Sequence, residues 1–230
     1  MLILAFDTSS TSAAVALLKD DIILYDAIIH TGRNHSEILL PAIDHACSQL
    51  KLKISDIDLF ACTAGPGSFT GLRVGVSTMK GLLLASGKPA AGVSSLTALA
   101  LNINEKTGLI CSVMDAGRGQ VYTAYYRRND QGILNQIGQE KVLDPQEVLR
   151  DIDQDIIMVG DGAIKYGALL TENSGRVRIA SGMQQYIRAS AVGILGREKY
   201  ARNELLNPDT FVPIYLRSAD ARPSKGLFKD

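Results

Sequence analysis

Two segments of the chain open in the same way, and that repetition limits the folds available to it. Leu2-Ile3-Leu4-Ala5-Phe6 is an apolar run that ends on Asp7 and a polar turn, Thr8 to Ser12. Leu109-Ile110-Cys111-Ser112-Val113-Met114 ends on Asp115 and the turn Ala116-Gly117-Arg118-Gly119. Short apolar runs bounded by turn residues read as buried strands. Each copy continues with two more strands: Ala13 to Leu18 and Ile22 to Ile29 in the first, Gln120 to Tyr126 and Ile133 to Val142 in the second. The joins are short, so each trio is an antiparallel meander. Strand, Asp, turn, strand, strand and then helix, twice over, predicts an internally duplicated α/β fold of two lobes. Polar residues and glycine cluster between Asn104 and Gly108, which puts the lobes at 1–104 and 105–230, the second reduced.

In the first copy, Asn34 with Glu37 predicts a capped helix start with an apolar stripe at Leu39, Ile43, Ala46 and Leu50. Pro41 should kink or restart that helix. A strand follows from Leu59 to Thr63, then the turn Ala64-Gly65-Pro66-Gly67-Ser68-Phe69 and a helix from Thr70 to Ser86, with Thr70 as its cap. A short strand from Ala90 to Val93 leads into a helix from Ser95 to Ile103. In the second copy, a strand from Ile156 to Val159 runs through Gly160-Asp161-Gly162 into a helix from Ala163 to Leu170. A long helix from Gln184 to Arg202 and an extended segment from Pro213 to Arg217 close the chain.

Gly71 and Gly75 lie one turn apart on one face of the glycine-rich helix. Each interior glycine costs about 1 kcal/mol against alanine. That face therefore serves a close approach, to the chain's own core or to a partner helix. A phosphate-cradling loop of this shape ends in Gly-Lys-Ser/Thr. Here the stretch reads Gly71-Leu72-Arg73, so tight packing is the better reading.

Basic and acidic residues number 24 each, which excludes a protein that holds nucleic acid by net charge alone. Cys47, Cys62 and Cys111 are scattered, without a C-x-x-C pair, and read as buried thiols in a reducing compartment. No apolar run approaches the roughly 20 residues of a membrane span. With no basic, apolar leader at the start, a cytoplasmic location is expected.

The duplicated pattern resembles the actin, Hsp70 and sugar-kinase superfamily, whose fold is ribonuclease H-like. The resemblance implies a nucleotide cleft between lobes, faced here by Asp7, Ser9, Ser10, Asp115, Gly117 and Arg118. A closer resemblance covers essentially the whole chain. Asp7-Thr8-Ser9, the stretch from Ala64 to Gly75, Met114-Asp115-Ala116-Gly117-Arg118, Gly160-Asp161-Gly162 and Pro213-Ile214-Tyr215-Leu216-Arg217 together are similar to the TsaB (YeaZ) family of the tRNA threonylcarbamoyladenosine machinery.

That resemblance implies a non-catalytic subunit that dimerises with a TsaD-like catalytic subunit. The pair supports threonylcarbamoyl transfer to N6 of the adenosine beside the anticodon. It further implies a TsaE-like ATPase, tRNA met through the complex, room for ATP or ADP at the level of the complex with no cofactor assigned to this chain, and a homodimer when alone. The pairing face would be the helices of residues 34–50 and 70–86, with His35, Leu39, Ile43, Phe69, Gly71, Arg73, Gly75, Val76, Met79 and Lys80 as candidates. TsaD-like proteins carry two metal-binding histidines four residues apart, at positions that correspond to Ser95 and Leu99 here. No catalytic or metal-ligating residue is therefore expected. His35 and His45 on one helix would stand about 15 Å apart, too far to share a metal.

Two other activities compete. An ATP-dependent phosphotransferase of the sugar-kinase type would need a base and Mg²⁺ carboxylates, with Asp7, Asp115 and Asp161 as candidates by position. A lone Asp at a strand end, however, is more often a turn residue that accepts backbone N–H groups. A peptidase would need a nucleophile with a base, and Ser68 has no identifiable base.

Overall fold

Both meanders form as their patterns dictate, in a computed structural model that describes residues 1–106, 108–172 and 175–216. In the first, β1 (Leu2–Asp7) pairs antiparallel with β2 (Ala13–Lys19), and β2 with β3 (Ile22–Ile29). Helix α1 (His35–Gln49) leads to β4 (Leu59–Gly65), which lies parallel to β1. Helix α2 (Phe69–Ser86) then leads to β5 (Ala90–Ser94) and α3 (Ser95–Ala100). In the second copy come β6 (Leu109–Gly117), β7 (Gln120–Arg128), β8 (Leu134–Leu143) and β9 (Ile156–Val159). Two short helices follow, α4 (Asp161–Lys165) and α5 (Gly167–Thr171), then β10 (Val177–Ile179) and α6 (Ala189–Ala201).

The sheet orders are β3-β2-β1-β4-β5 and β8-β7-β6-β9-β10, the same topology strand for strand. This is the duplicated actin- and sugar-kinase-like α/β fold. The second lobe is reduced in its helices rather than its sheet. A single 3-10 turn, Pro145–Glu147, stands where the first lobe has α1, and α4 with α5 stands where it has α2.

The last helices of the two copies join the sheets. Helix α3 lies between them, against β4 and β5 on one side and β6 and β7 on the other, while α6 follows the second sheet and covers β1, β2, β4 and β5 of the first. Helix α6, which lies beyond residue 104, thus packs on the sheet of the first copy. One buried cluster runs from Ile3, Ala16 and Ala61 through Leu96 and Leu99 to Ile110 and Tyr126, and so belongs to both sheets. The other face of the first sheet packs on α1 and α2 through Leu4, Phe6, Leu39, Phe60 and Met79. Burial of side chains such as Phe6 and Phe60 contributes about 1.5–3 kcal/mol each.

Several boundaries differ from the sequence reading. Ser68, not Thr70, caps α2: its Oγ accepts from Gly71 N at 3.3 Å. Asn34 forms no capping bond, because its side-chain amide donates to Glu37 Oε1 at 3.0 Å instead. Helix α1 runs through Pro41 without restarting. The helix expected from Ala163 to Leu170 is broken at Tyr166, and the last long helix starts at Ala189. Strand β10 was not foreseen, since Val177-Arg178-Ile179 is too short to show a pattern. Arg217 lies outside the described residues. Among the described residues, no helix is long and apolar enough to cross a membrane.

The glycine face of α2 meets the chain's own β1–β2 turn rather than a partner helix. A Cβ on Gly71 would collide with the Thr8 carbonyl, and one on Gly75 would lie 2.6 Å from Thr8 Oγ1. That hydroxyl donates to Gly71 O at 2.7 Å. Gly71→Ala should therefore destabilise the fold by about 1–3 kcal/mol, the usual cost of overpacking against backbone. Gly81 sits in the same helix with open space around it. Gly81→Ala should stabilise by about 0.5–1 kcal/mol. Urea unfolding of both variants checks the pair; equal effects would contradict the packing described.

Candidate functional site

Two concave surfaces share a wall. The first is a cleft of about 890 Å³ between the lobes. Its floor and sides come from the β1–β2 turn (Ser9, Ser10), the β6–β7 turn (Asp115, Gly117, Arg118), the start of α2, and Asp161, Tyr122 and Tyr215. The second is an apolar groove of about 520 Å³ between α1 and α2, where exposed Leu40 and Ser77 and half-buried Val74 lie over Leu39. Phe69 and Arg73 line both.

The β1–β2 turn positions both helices. Ser68 N donates to Ser9 O at 2.7 Å at the head of α2. His35, the first residue of α1, donates from Nε2 to Ser10 O at 2.9 Å. A carbonyl only accepts, so this contact keeps a proton on Nε2. His35 Nδ1 is buried with no partner among the described residues.

Of the sequence-named cleft residues, Ser9, Ser10, Asp115, Gly117 and Arg118 line the cleft, but Asp7 does not. Asp7 is fully buried beneath it. Its Oδ1 accepts from Ser9 N (3.0 Å), Ser9 Oγ (2.6 Å) and Thr63 Oγ1 (2.6 Å), while Oδ2 has no partner among the described residues. Burial pushes its carboxyl above the usual range, against the pull of those hydrogen bonds. Asp115 is committed as well: Oδ1 accepts from Gly117 N at 3.1 Å, and Oδ2 pairs with Lys165 Nζ at 2.7 Å. Asp161 Oδ1 accepts from Asp115 N at 3.0 Å, and burial raises its carboxyl too. All three carboxylates hold turns together.

Of the pairing candidates, Leu39, Ile43, Gly71, Gly75, Val76 and Met79 are buried in the chain's own core. Their periodicity marks a core face, and a sequence cannot tell that from a docking face. His35 points inward to Ser10, and Lys80 is half-buried outside the groove. Phe69 and Arg73 remain accessible. Exposed Leu40 and Tyr215 and half-buried Val74 complete that surface and carry no periodic signal of their own, which is why the sequence does not single them out.

Ser95 and Leu99 sit in the core shared by the lobes. Leu99 is buried against Gly160, and Ser95 is fully buried with its Oγ unpartnered among the described residues. Among the described residues, no three His, Cys, Asp or Glu side chains come together as metal ligands.

Comparison with known proteins places this geometry. Residues 29–225 match the family model described as TsaD, tRNA N6-adenosine threonylcarbamoyltransferase. The tRNA threonylcarbamoyladenosine biosynthesis protein TsaB of Bacillus subtilis (strain 168) is 33% identical over 225 residues, 96% of each chain. The TsaB protein of Escherichia coli (strain K12) is 30% identical over 223 residues, 95% of each. The solved YeaZ of Pseudomonas aeruginosa has a TM-score of 0.80 at 27% identity, covering 94% of this chain and 99% of that one. Component A of the (R)-2-hydroxyglutaryl-CoA dehydratase of Acidaminococcus fermentans, with a TM-score of 0.55 and 14% identity over 87% of this chain and 99% of that one, shares the fold alone.

The buried carboxyls make a pH prediction. Asp7, Asp161 and, where Ser94 donates to it, Glu140 are all raised by burial. The folded chain thus holds these protons more tightly than the unfolded chain. Their contribution to stability is fully present below the ordinary carboxylate value of about 4 and is lost as pH rises through the raised native values. Asp7→Asn removes one such group. Melting measured at pH 5 and pH 8 should show a smaller difference for the variant than for the native chain; an unchanged difference would contradict a buried Asp7 carboxyl raised by its surroundings.

Proposed function

From the premise that this chain belongs to the TsaB (YeaZ) family, we propose that it is the non-catalytic partner subunit in tRNA threonylcarbamoyladenosine formation. It pairs with a TsaD-type catalytic subunit, whose transfer reaction it supports, and a TsaE-type ATPase and the tRNA are met through that complex. Alone, the same face pairs two copies of the chain. The observation that carries the reading is the open apolar groove between α1 and α2, a ready seat for a helical face.

The interior agrees with a subunit that does not itself catalyse. The positions that correspond to the catalytic relative's histidines are Ser95 and Leu99, both in the packed core between lobes. A phosphotransferase would need Asp7, Asp115 or Asp161 free as base or Mg²⁺ ligand. Asp7 is sealed under the cleft, and the other two are held by Lys165 and by backbone N–H groups. A peptidase reading places its nucleophile at Ser68, whose hydroxyl instead caps α2.

Light scattering on the eluting peak of this protein mixed with the TsaD-type protein of the same organism tests the proposal. A 1:1 species is expected. Leu40→Glu and Arg73→Glu, both on exposed side chains, should weaken it at least tenfold while leaving melting unchanged. Absence of any mixed species, or steady ATP turnover with a sugar acceptor by this chain alone, would overturn the reading.

A further inference from the structure

After α6 the chain does not leave the fold but returns along the edge of the first sheet. Leu206 N donates to Ala90 O at 2.8 Å, Phe211 is buried, and Ile214 N donates to Ala64 O at 2.7 Å. This strap, residues 206–216, is therefore fixed at both ends and in the middle. Its fixed backbone nevertheless presents apolar side chains to water: Val212 is 66% and Ile214 53% exposed. The next residue, Tyr215, lays its ring against Phe69, centroids 5.2 Å apart. Through that contact the strap continues the wall of the α1–α2 groove, where Leu40 is 55% exposed. An ordered backbone that holds large apolar side chains outward, next to an apolar groove, marks an interaction surface.

Arg73 stands at the join. Its guanidinium lies 4.0 Å over the Phe69 ring, and its Nε donates to Tyr215 Oη at 3.5 Å. Among the described residues it meets no carboxylate, and neither the groove nor residues 211–216 carry one. A guanidinium so placed, stacked and pre-oriented at the centre of an apolar patch, is complementary to a carboxylate brought by something else. The groove lining and residues 211–216 of a second copy docked face to face would bring another Arg73 and no acid, and its nearest acids, Glu37 and Asp44, flank Leu40 on α1.

We infer that the docking surface for the catalytic partner runs off α1 and α2 onto the strap, and that it takes an apolar partner face bearing a carboxylate opposite Arg73. This rests on the pairing reading above, and the test separates the two. Titration calorimetry with the TsaD-type protein compares the native chain with Leu40→Glu, Arg73→Leu, and the double variant Val212→Asp with Ile214→Asp. Ile214→Thr serves as the milder strap variant, and melting curves confirm that each folds. Expected are at least a tenfold loss of affinity for the double variant, a smaller loss for Ile214→Thr, and a weaker dependence of affinity on salt for Arg73→Leu. If Leu40→Glu abolishes pairing while the strap variants stay within twofold and Arg73→Leu keeps the native salt dependence, this inference is overturned and the groove reading stands. If Leu40→Glu also pairs normally, the groove reading fails and takes this one with it. Strap variants that break a self-dimer but spare the mixed pair would make a second copy the occupant and overturn the inference.

Discussion

Three successive residues of one tight turn, Thr8, Ser9 and Ser10, receive the heads of two helices. The Thr8 carbonyl presses on the missing side chain of Gly71, the Ser9 carbonyl takes the N–H of Ser68, and the Ser10 carbonyl takes His35 Nε2. The turn is itself held from beneath by Asp7, whose Oδ1 gathers Ser9 and Thr63. Contact this close is open only to glycine on the helix side, and it fixes where α1 and α2 start relative to β1. The spacing of the two helices, and so the groove between them, follows. So does the near wall of the cleft, since Ser9, Ser10 and the first turn of α2 form it.

Helix α3 lies between the two sheets and α6 returns to the first, so both sheets contribute to one shared core. Polar contacts add to it: Arg128 Nε donates to Ile103 O at 2.7 Å, Asn102 Nδ2 donates to Tyr186 O at 2.8 Å, and Asp26 binds Arg188 and Ser190. In such a frame the strand-end carboxylates act as joints rather than reagents. Along α1, α2 and the strap, apolar side chains stand exposed on ordered backbone around one groove.

Much of this was legible in the sequence, and the parts that were not have physical reasons. Strands β1 and β6 announce themselves by continuous apolar runs ending in Asp, so the duplication was visible before any coordinates. The glycines of α2 showed that something approaches closely, but spacing alone does not say whether that is Thr8 of the same chain or another molecule. Leu39, Ile43, Val76 and Met79 repeat at helical intervals because they are core, while the exposed Leu40 breaks the stripe and passes unnoticed. The return of α6 to the first sheet was hidden, since helical periodicity marks an apolar face without naming the sheet it covers. The strap has no periodicity at all. Its place is set by two backbone hydrogen bonds and Phe211, which only the assembled sheet reveals.

Hydrogen–deuterium exchange on this protein, alone and mixed with the TsaD-type subunit, tests the account most directly, because it reads where a partner sits without altering any residue. The account predicts slowed exchange in residues 35–49, 69–86 and 206–216 on mixing, with the second sheet unchanged. Protection confined to the second sheet, or none anywhere, would contradict it.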